Sequence, residues 1–200
     1  MSQAGEVQIY RAGLLEIAKC LTTIAKMPRF IKSNASDIAL AVFRLPDNKQ
    51  SLNDFPHSTR LSLLNLLQCL LEAYPTALKS SLGSKFVDGI TSMAAVERNP
   101  SCILAIFKIY SQLGKSWDIN SDEAETLFGS FFRYFPITTT KSATPLKPEE
   151  DLKRGLLNCL ISNDRFAPFV FPALFQKLDS ESVRADIKVI KSVLIFSVVC

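Results

Sequence analysis

Apolar residues recur at intervals of three and four along most of this chain, the pattern of helices that bury one face. One run, residues 58–74, is apolar around most of the helix circumference, so that helix should be buried on several sides. The sequence therefore predicts an all-α protein of about nine helices. The predicted helices cover residues 7–25, 36–43, 58–74, 82–96, 102–113, 122–134, 148–161, 166–178 and 183–200.

Several predicted helix ends carry residues that suit those positions. Asn99 and Pro100 fit an N-cap and a first helical residue, where the missing N–H of proline has no cost. Residues 120–123 match a capping box, with Asn120 in place of Ser or Thr. Pro75 and Pro136 follow apolar runs and are predicted to end the helices before them.

The predicted loops recur at a regular interval. Polar, proline-containing loops at residues 45–56, 98–100 and 136–148 are spaced at about 45 residues, which is typical of HEAT and armadillo repeats. About four to five helical hairpins would then stack into a single α-solenoid segment over residues 1–200. Because the run 183–200 is apolar and no helix-ending signal follows it, we expect this segment to be truncated at its C-terminal end.

The composition favours a folded helical protein and argues against nucleic-acid binding. Apolar residues make up 48% and charged residues 21%, and 7 glycines are few for a sandwich or barrel. The net charge of +4 is small, and the basic residues are spread over the whole chain instead of along one face. No stretch has the roughly 20 apolar residues that cross a bilayer. We expect neither direct nucleic-acid binding nor a membrane span.

Cysteine and histidine give no sign of a metal site or a nucleophile. The five cysteines lie far apart in apolar runs, so we expect reduced core residues, and the single histidine, His57, is expected at the surface. Acidic residues 149–151 begin a helix, where the helix dipole explains them. Phosphate-binding glycine motifs and nucleophile elbows are missing from the sequence. We therefore expect no cofactor and no enzymatic activity.

One ordered set of motifs resembles a known family. The motifs are Tyr134-Phe135-Pro136-Ile137, a polar loop, Arg165-Phe166-Ala167-Pro168-Phe169 and the run from Leu174 to Ser180, with Asn99-Pro100 and the apolar run 102–107 before them. They resemble the HEAT-repeat scaffold of the cytosolic iron–sulfur assembly targeting complex, a nucleotide-excision-repair and transcription family. The resemblance is firmest over residues 60–182.

The resemblance implies a non-catalytic adaptor in the nucleus and cytoplasm. Such an adaptor helps to deliver iron–sulfur clusters to apoproteins of DNA repair, replication and transcription, among them helicases and polymerases. Its other implied partners are a β-propeller subunit and a small bridging subunit. The adaptor binds proteins that carry clusters and holds no cluster itself. The alternative is a generic protein-binding solenoid, such as a nuclear-transport scaffold, although the single tryptophan, Trp117, counts against it.

Five residues are predicted to contact partners. Most of the aromatic residues between 128 and 175 are predicted to form the core between repeats, but Phe171 and Phe175 lie off the main apolar stripe and could line a peptide-binding face. Lys108, Arg133 and Lys177 are polar positions on helices or at their ends, where a substitution is expected to weaken partner binding and to leave stability nearly unchanged.

Overall fold

The structure is a computed structural model that describes residues 3–45, 52–95, 97–137 and 148–178. Over these ranges it contains nine α-helices, short 3-10 turns and no strand, which confirms the all-α prediction. The arrangement of the helices as HEAT or armadillo repeats stays a prediction. The chain separates into two compact units, Met1–Ile109 and Tyr110–Cys200, which we describe one at a time.

The first unit is built around the leucine-rich helix α3. Helix α1 packs against α3, and α2 packs against α3, α4 and α5. Six leucines of α3 are at most 1% exposed, so the predicted burial on several sides is confirmed. The helices of this unit are α1 (Gln3–Ile24), α2 (Ser33–Phe43), α3 (His57–Ala73), α4 (Pro75–Leu82), α5 (Ser84–Ala94) and the first part of α6 (Pro100–Ser116).

Helix α4 was not predicted from the sequence. The sequence predicts only that Pro75 ends α3, but Pro75 is also the first residue of α4. The N–H that proline lacks would have no partner within the helix at this position. The predicted helix 82–96 begins later, at Ser84. Gly83 separates α4 from α5 with a φ of +51°, a conformation that glycine adopts without strain.

A buried ion pair joins three segments of the first unit. The Arg60 guanidinium on α3 donates to the two carboxylate oxygens of Glu97 at 2.7 and 3.0 Å, and it also donates to the carbonyl of Phe55. Glu97 in turn accepts the backbone N–H groups of Arg98 at 2.9 Å and Asn99 at 2.8 Å. The side chain of Glu97 is 2% exposed. This one carboxylate therefore ties α3 to the segment that leads into α6.

The two predicted helix caps are confirmed. The Asn99 side chain accepts the N–H of Ser101 at 3.0 Å and that of Cys102 at 3.4 Å at the start of α6. Asn120 and Glu123 form a full capping box at the start of α7, with both reciprocal hydrogen bonds present. Each cap satisfies backbone donors that the first helical turn leaves unpaired.

The second unit has α7 at its centre. Helix α7 packs against α8 and α9, and the buried Tyr110 hydroxyl lies 2.6 Å from the Ser130 hydroxyl of α7. Burial raises the pKa of Tyr110, so this hydroxyl stays protonated. The helices of this unit are the end of α6, α7 (Ser121–Phe132), α8 (Pro148–Leu160) and α9 (Ala167–Leu178), with a 3-10 turn at Asp164–Phe166 before α9.

Gly114 allows a close approach between α6 and the segment after α8. A Cβ atom at this position would lie 2.7 Å from the Cβ of Ser162 and closer still to its hydroxyl oxygen. The Asn163 side-chain amide donates to the Gly114 carbonyl at 2.8 Å. This hydrogen bond holds the C-terminal part of α6 in contact with the segment from Ser162. A side chain at position 114 would prevent so close an approach.

Two predicted features lie outside the described residues. They are the helix over 183–200 and most of the polar loop over 136–148. Among the residues that the structure does describe, no single helix is long and apolar enough to cross a membrane; α3 and α4 meet that test of length and composition only as a pair bent by 101°.

Candidate functional site

Aromatic side chains hold together the α7 and α9 helices of the second unit. Phe131 is fully buried and meets the ring of Phe166 edge-on, with the ring centres 5.3 Å apart. Phe128 stacks on Phe169 of α9 with 5.8 Å between the ring centres. Such pairs contribute about 0.5–1.5 kcal/mol each beyond the area they bury. For these rings, the prediction of a packed core is confirmed.

Helix α9 buries one side and presents aromatic residues on another. Val170 and Leu174 are each 3% exposed and face the core. Phe171 and Phe175 are one turn apart on a different side of the helix. Phe171 is half-buried, whereas Phe175 is 59% exposed. In the described part of this unit, Phe175 is therefore exposed and Phe171 is partly exposed, and contact of these two residues with a partner stays a prediction.

Two predicted cations lie in the same unit as these rings. Arg133 is exposed at the C-terminal cap of α7, and Lys177 is half-buried in the last turn of α9. Cations suit these positions because the C-terminal end of a helix carries partial negative charge. Since α7 packs against α9, Arg133, Lys177 and the two phenylalanines belong to one packed helix pair. Their role in partner binding stays a prediction.

Lys108 belongs to the first unit and is described by itself. It is exposed on α6, between the buried side chains of Phe107 and Ile109. A change at Lys108 therefore alters surface charge without removing core contacts. Contact of Lys108 with a partner stays a prediction.

The residues considered as metal ligands or acids in the sequence have the following places in the described part of the chain. His57 is exposed, as predicted. In residues 3–45, 52–95, 97–137 and 148–178, no group of three or more His, Cys, Asp or Glu side chains could hold a metal ion. The acidic residue Glu149 in the first turn of α8 pairs with Lys153 at 2.7 Å, which fits its predicted structural role.

The cysteine prediction needs one correction. Cys69, Cys102 and Cys159 are buried, as expected of core thiols, but Cys20 is exposed. The apolar pattern of α1 placed Cys20 and Ile24 on the buried stripe with Ala18, and the structure buries only Ala18 of these three. Periodicity along a helix does not say which of two adjacent stripes meets the core, so it did not predict this exposed apolar face.

The thiols should therefore differ sharply in reactivity. In a Cys200→Ser variant at pH 8, Cys20 should react fast with a thiol reagent, and Cys69, Cys102 and Cys159 should react only on unfolding. Burial raises the pKa of all three buried thiols, that of Cys102 to about 11, which keeps them in the unreactive protonated form. Mass spectrometry of alkylated peptides checks this; fast native-state labelling of Cys102 or Cys159 would contradict the packing described above.

Comparison with known proteins identifies related sequences over nearly the whole chain. The sequence model of a family described as "Dos2-interacting transcription regulator of RNA-Pol-II" matches residues 8–196. The "DNA repair/transcription protein mms19" of Schizosaccharomyces pombe is 28% identical over 175 residues, which is 86% of this chain and 17% of that protein. No solved structure matches the chain.

Animal and plant relatives match as well. The human "MMS19 nucleotide excision repair protein homolog" is 29% identical over 75% of this chain and 15% of its own length. The Arabidopsis thaliana protein of the same description is 30% identical over 68% of this chain and 12% of its own length. The chain thus spans less than a fifth of the length of these curated relatives.

Proposed function

Because this chain belongs to the family described as Dos2-interacting transcription regulator of RNA-Pol-II, we propose that it is a non-catalytic adaptor in DNA repair and transcription. The observation that carries this proposal is the family match over residues 8–196. The yeast, human and plant relatives are described as proteins of DNA repair, transcription and nucleotide excision repair, which supports a role in the same processes.

The described structure supports a binding role more than a chemical one. Its polar clusters have structural functions: Arg60 and Glu97 join helices, and Asn120 and Glu123 cap α7. Stacked helical hairpins present extended surfaces to partners, and the family resemblance implies this architecture. In this proposal, Lys108, Arg133, Phe171, Phe175 and Lys177 are the contact residues.

A more specific part of the proposal is that the adaptor serves the delivery of iron–sulfur clusters. By the resemblance of its motifs, the chain assists the delivery of iron–sulfur clusters to apoproteins such as helicases and polymerases, together with a β-propeller subunit and a small bridging subunit, in the nucleus and cytoplasm. Iron–sulfur clusters are ligated by sets of closely spaced cysteines, and the cysteines here lie far apart in the sequence. By the same resemblance, the chain binds the proteins that receive clusters and holds no cluster itself.

Capture of a purified apo iron–sulfur helicase of DNA repair tests the proposed contact residues. The charge-reversal variant Lys108→Glu/Arg133→Glu/Lys177→Glu should bind this client at least about tenfold more weakly, because attraction between charges across an interface becomes repulsion. The variant should stay folded, with a change in unfolding free energy within about 0.5 kcal/mol for each surface substitution. Phe175→Ser should weaken capture further, because an exposed aromatic side chain is a typical interface anchor.

The matched control reverses three exposed cations outside the proposed contact residues. The variant Lys85→Glu/Lys115→Glu/Arg154→Glu makes the same change in net charge and should keep wild-type capture. Equal losses in both triple variants would mean that only the net charge matters. Unchanged capture by Lys108→Glu/Arg133→Glu/Lys177→Glu would remove these residues from the interface.

A further inference from the structure

The exposed apolar side chains of the first unit are concentrated in one short segment. Ile17 is 56% exposed, Ile24 44%, Met27 51% and Ile31 63%. Among the residues whose side chains the structure describes, only two other large apolar side chains, Ile161 and Phe175, are exposed to this degree. Exposed Cys20 lies in the same segment. We call Ile17, Cys20, Ile24, Met27 and Ile31 the α1 patch.

These residues lie on one face of α1 and in the turn that follows it. Ile17, Cys20 and Ile24 are spaced by three and four residues, so they share one face of α1. The backbone N–H of Met27 donates to the carbonyl of Ile24 at 3.0 Å, so Met27 directly follows this face at the end of the helix. Ile31 lies further along the same turn, before α2 begins at Ser33.

The inner side of this turn is fixed to α3. The Tyr74 hydroxyl donates to the carbonyl of Ala25 at 2.7 Å, and the ring of Phe30 lies 5.0 Å from the ring of Tyr74. Ala25 itself is fully buried. With its inner side held in this way, the turn presents Ile24 and Met27 outward in a fixed geometry. A preformed surface loses less entropy on binding than one that must be ordered.

The segment that carries the α1 patch has more basic than acidic residues. Four exposed cations lie within residues 17–32, namely Lys19, Lys26, Arg29 and Lys32, and Lys19 pairs with exposed Glu16 at 2.8 Å. Exposed apolar residues next to charged ones are typical of an interaction site. Since three of these cations lie in the turn with Met27 and Ile31, the complementary partner surface is negative.

We propose that the α1 patch binds an acidic amphipathic helix of a partner protein. The exposed apolar side chains would pack against the partner's apolar face, and the cations of the same segment would contact its acidic residues. A second copy of this chain fits less well, because a twofold contact would place the same cations against one another. The proposal shares with the adaptor function only the requirement for protein binding, and its test uses no iron–sulfur client.

Binding of a synthetic probe peptide tests the proposal directly. The probe is a fluorescent helical peptide of about five turns, with Glu on its polar face and Leu and Phe on its apolar face. Its anisotropy is measured with the full chain at low and high salt. A second peptide with Lys in place of every Glu and vesicles containing phosphatidylserine are measured in parallel, and sedimentation of the chain alone reports self-association.

Two variants of the α1 patch should weaken peptide binding in different ways. Ile24→Ser/Met27→Ser/Ile31→Ser should reduce affinity at least about tenfold at both salt concentrations, because exposed apolar anchors supply most of the binding energy. Lys26→Glu/Arg29→Glu/Lys32→Glu should reduce it about tenfold at low salt and remove most of its salt dependence. All these side chains are exposed, so both variants should keep the wild-type helix content, measured by circular dichroism.

The controls use the other unit and other cations. Ile161→Ser removes an exposed apolar side chain elsewhere and should bind the acidic peptide normally, as should Lys85→Glu/Lys115→Glu/Arg154→Glu. The proposal is overturned if the Lys-containing peptide binds as well as the acidic one, or if the controls lose as much affinity as the patch variants. It is also overturned if the α1 patch mediates binding to the vesicles or self-association while the acidic peptide does not bind.

Discussion

Replacement of Glu97 by Ala should lower the free energy of unfolding by about 3–5 kcal/mol, because it leaves the buried Arg60 charge without its partner. Glu97 also accepts the backbone N–H groups of Arg98 and Asn99, so two further donors lose their acceptor. Urea unfolding followed by circular dichroism measures the change. We expect the loss to be large because the Arg60 and Glu97 side chains are only 12% and 2% exposed.

The control for this prediction is an ion pair of similar distance at the surface. Lys19 and Glu16 lie 2.8 Å apart, but their side chains are 55% and 65% exposed. Solvent weakens such a pair, so Glu16→Ala should change stability by less than about 1 kcal/mol. If Glu97→Ala destabilises the chain no more than Glu16→Ala does, the Arg60–Glu97 contact does not hold the first unit together.

The same carboxylate should make stability depend on pH. Burial alone would raise the pKa of Glu97, but hydrogen bonds from Arg60, Asn99 and Arg98, with the charge of Arg60, together hold it below its ordinary value of 4.5. Because the folded-state pKa is lowered, this contribution is fully present above pH 4.5 and is lost as the pH falls through the folded-state pKa. The wild type should therefore lose more stability than Glu97→Ala on acidification below pH 4.5.

Gly114→Ala should destabilise the second unit by about 2–3 kcal/mol, since the added Cβ atom overlaps the Cβ of Ser162. The Ser162 hydroxyl can rotate away, but its Cβ is fixed by the backbone, so one of the two segments must move. That movement would also strain the hydrogen bond between Asn163 and the Gly114 carbonyl. Chemical denaturation measures the loss, and Ser162→Gly in the same chain should recover part of it.

Gly129 provides the matched control for this glycine. It lies in α7, and an added Cβ atom there would meet nothing within 4 Å. Gly129→Ala should therefore stabilise the helix by about 0.5–1 kcal/mol, through the helix propensity of alanine. The two segments do not approach as closely as described if Gly114→Ala lowers the free energy of unfolding no more than Gly129→Ala does. The same conclusion follows if Ser162→Gly recovers none of the loss.

Local signals in the sequence predicted the fold class and most helix ends. The Asn99-Pro100 and Asn120–Glu123 caps appear as predicted, because capping depends on residues within one helical turn. Helix α4 was missed because Pro75 can both follow one helix and begin the next, and only the backbone at Gly83 decides where α5 begins. The Arg60–Glu97 pair joins residues that are 37 positions apart in the sequence. No local sequence pattern predicts a contact between residues so far apart.

The candidate binding surfaces were predicted only in part. Phe175 was expected off the main stripe of α9, and the structure exposes it. The α1 patch was not predicted, because Cys20 and Ile24 follow the same helical spacing as the buried Ala18. Its signals were the spacing of three and four from Ile17 to Ile31 and the basic residues between them. Packing against the neighbouring helix α3 decides which stripe of α1 is buried. The periodicity of α1 alone carries no information about α3.

Co-sedimentation of the purified chain with an apo iron–sulfur helicase of DNA repair, with iron measured in every fraction, tests the adaptor claim most directly. The account predicts that the chain sediments with the apo helicase and that its own fractions contain no stoichiometric iron. Stoichiometric iron in fractions of the chain alone, or separate sedimentation of the two proteins, would contradict it.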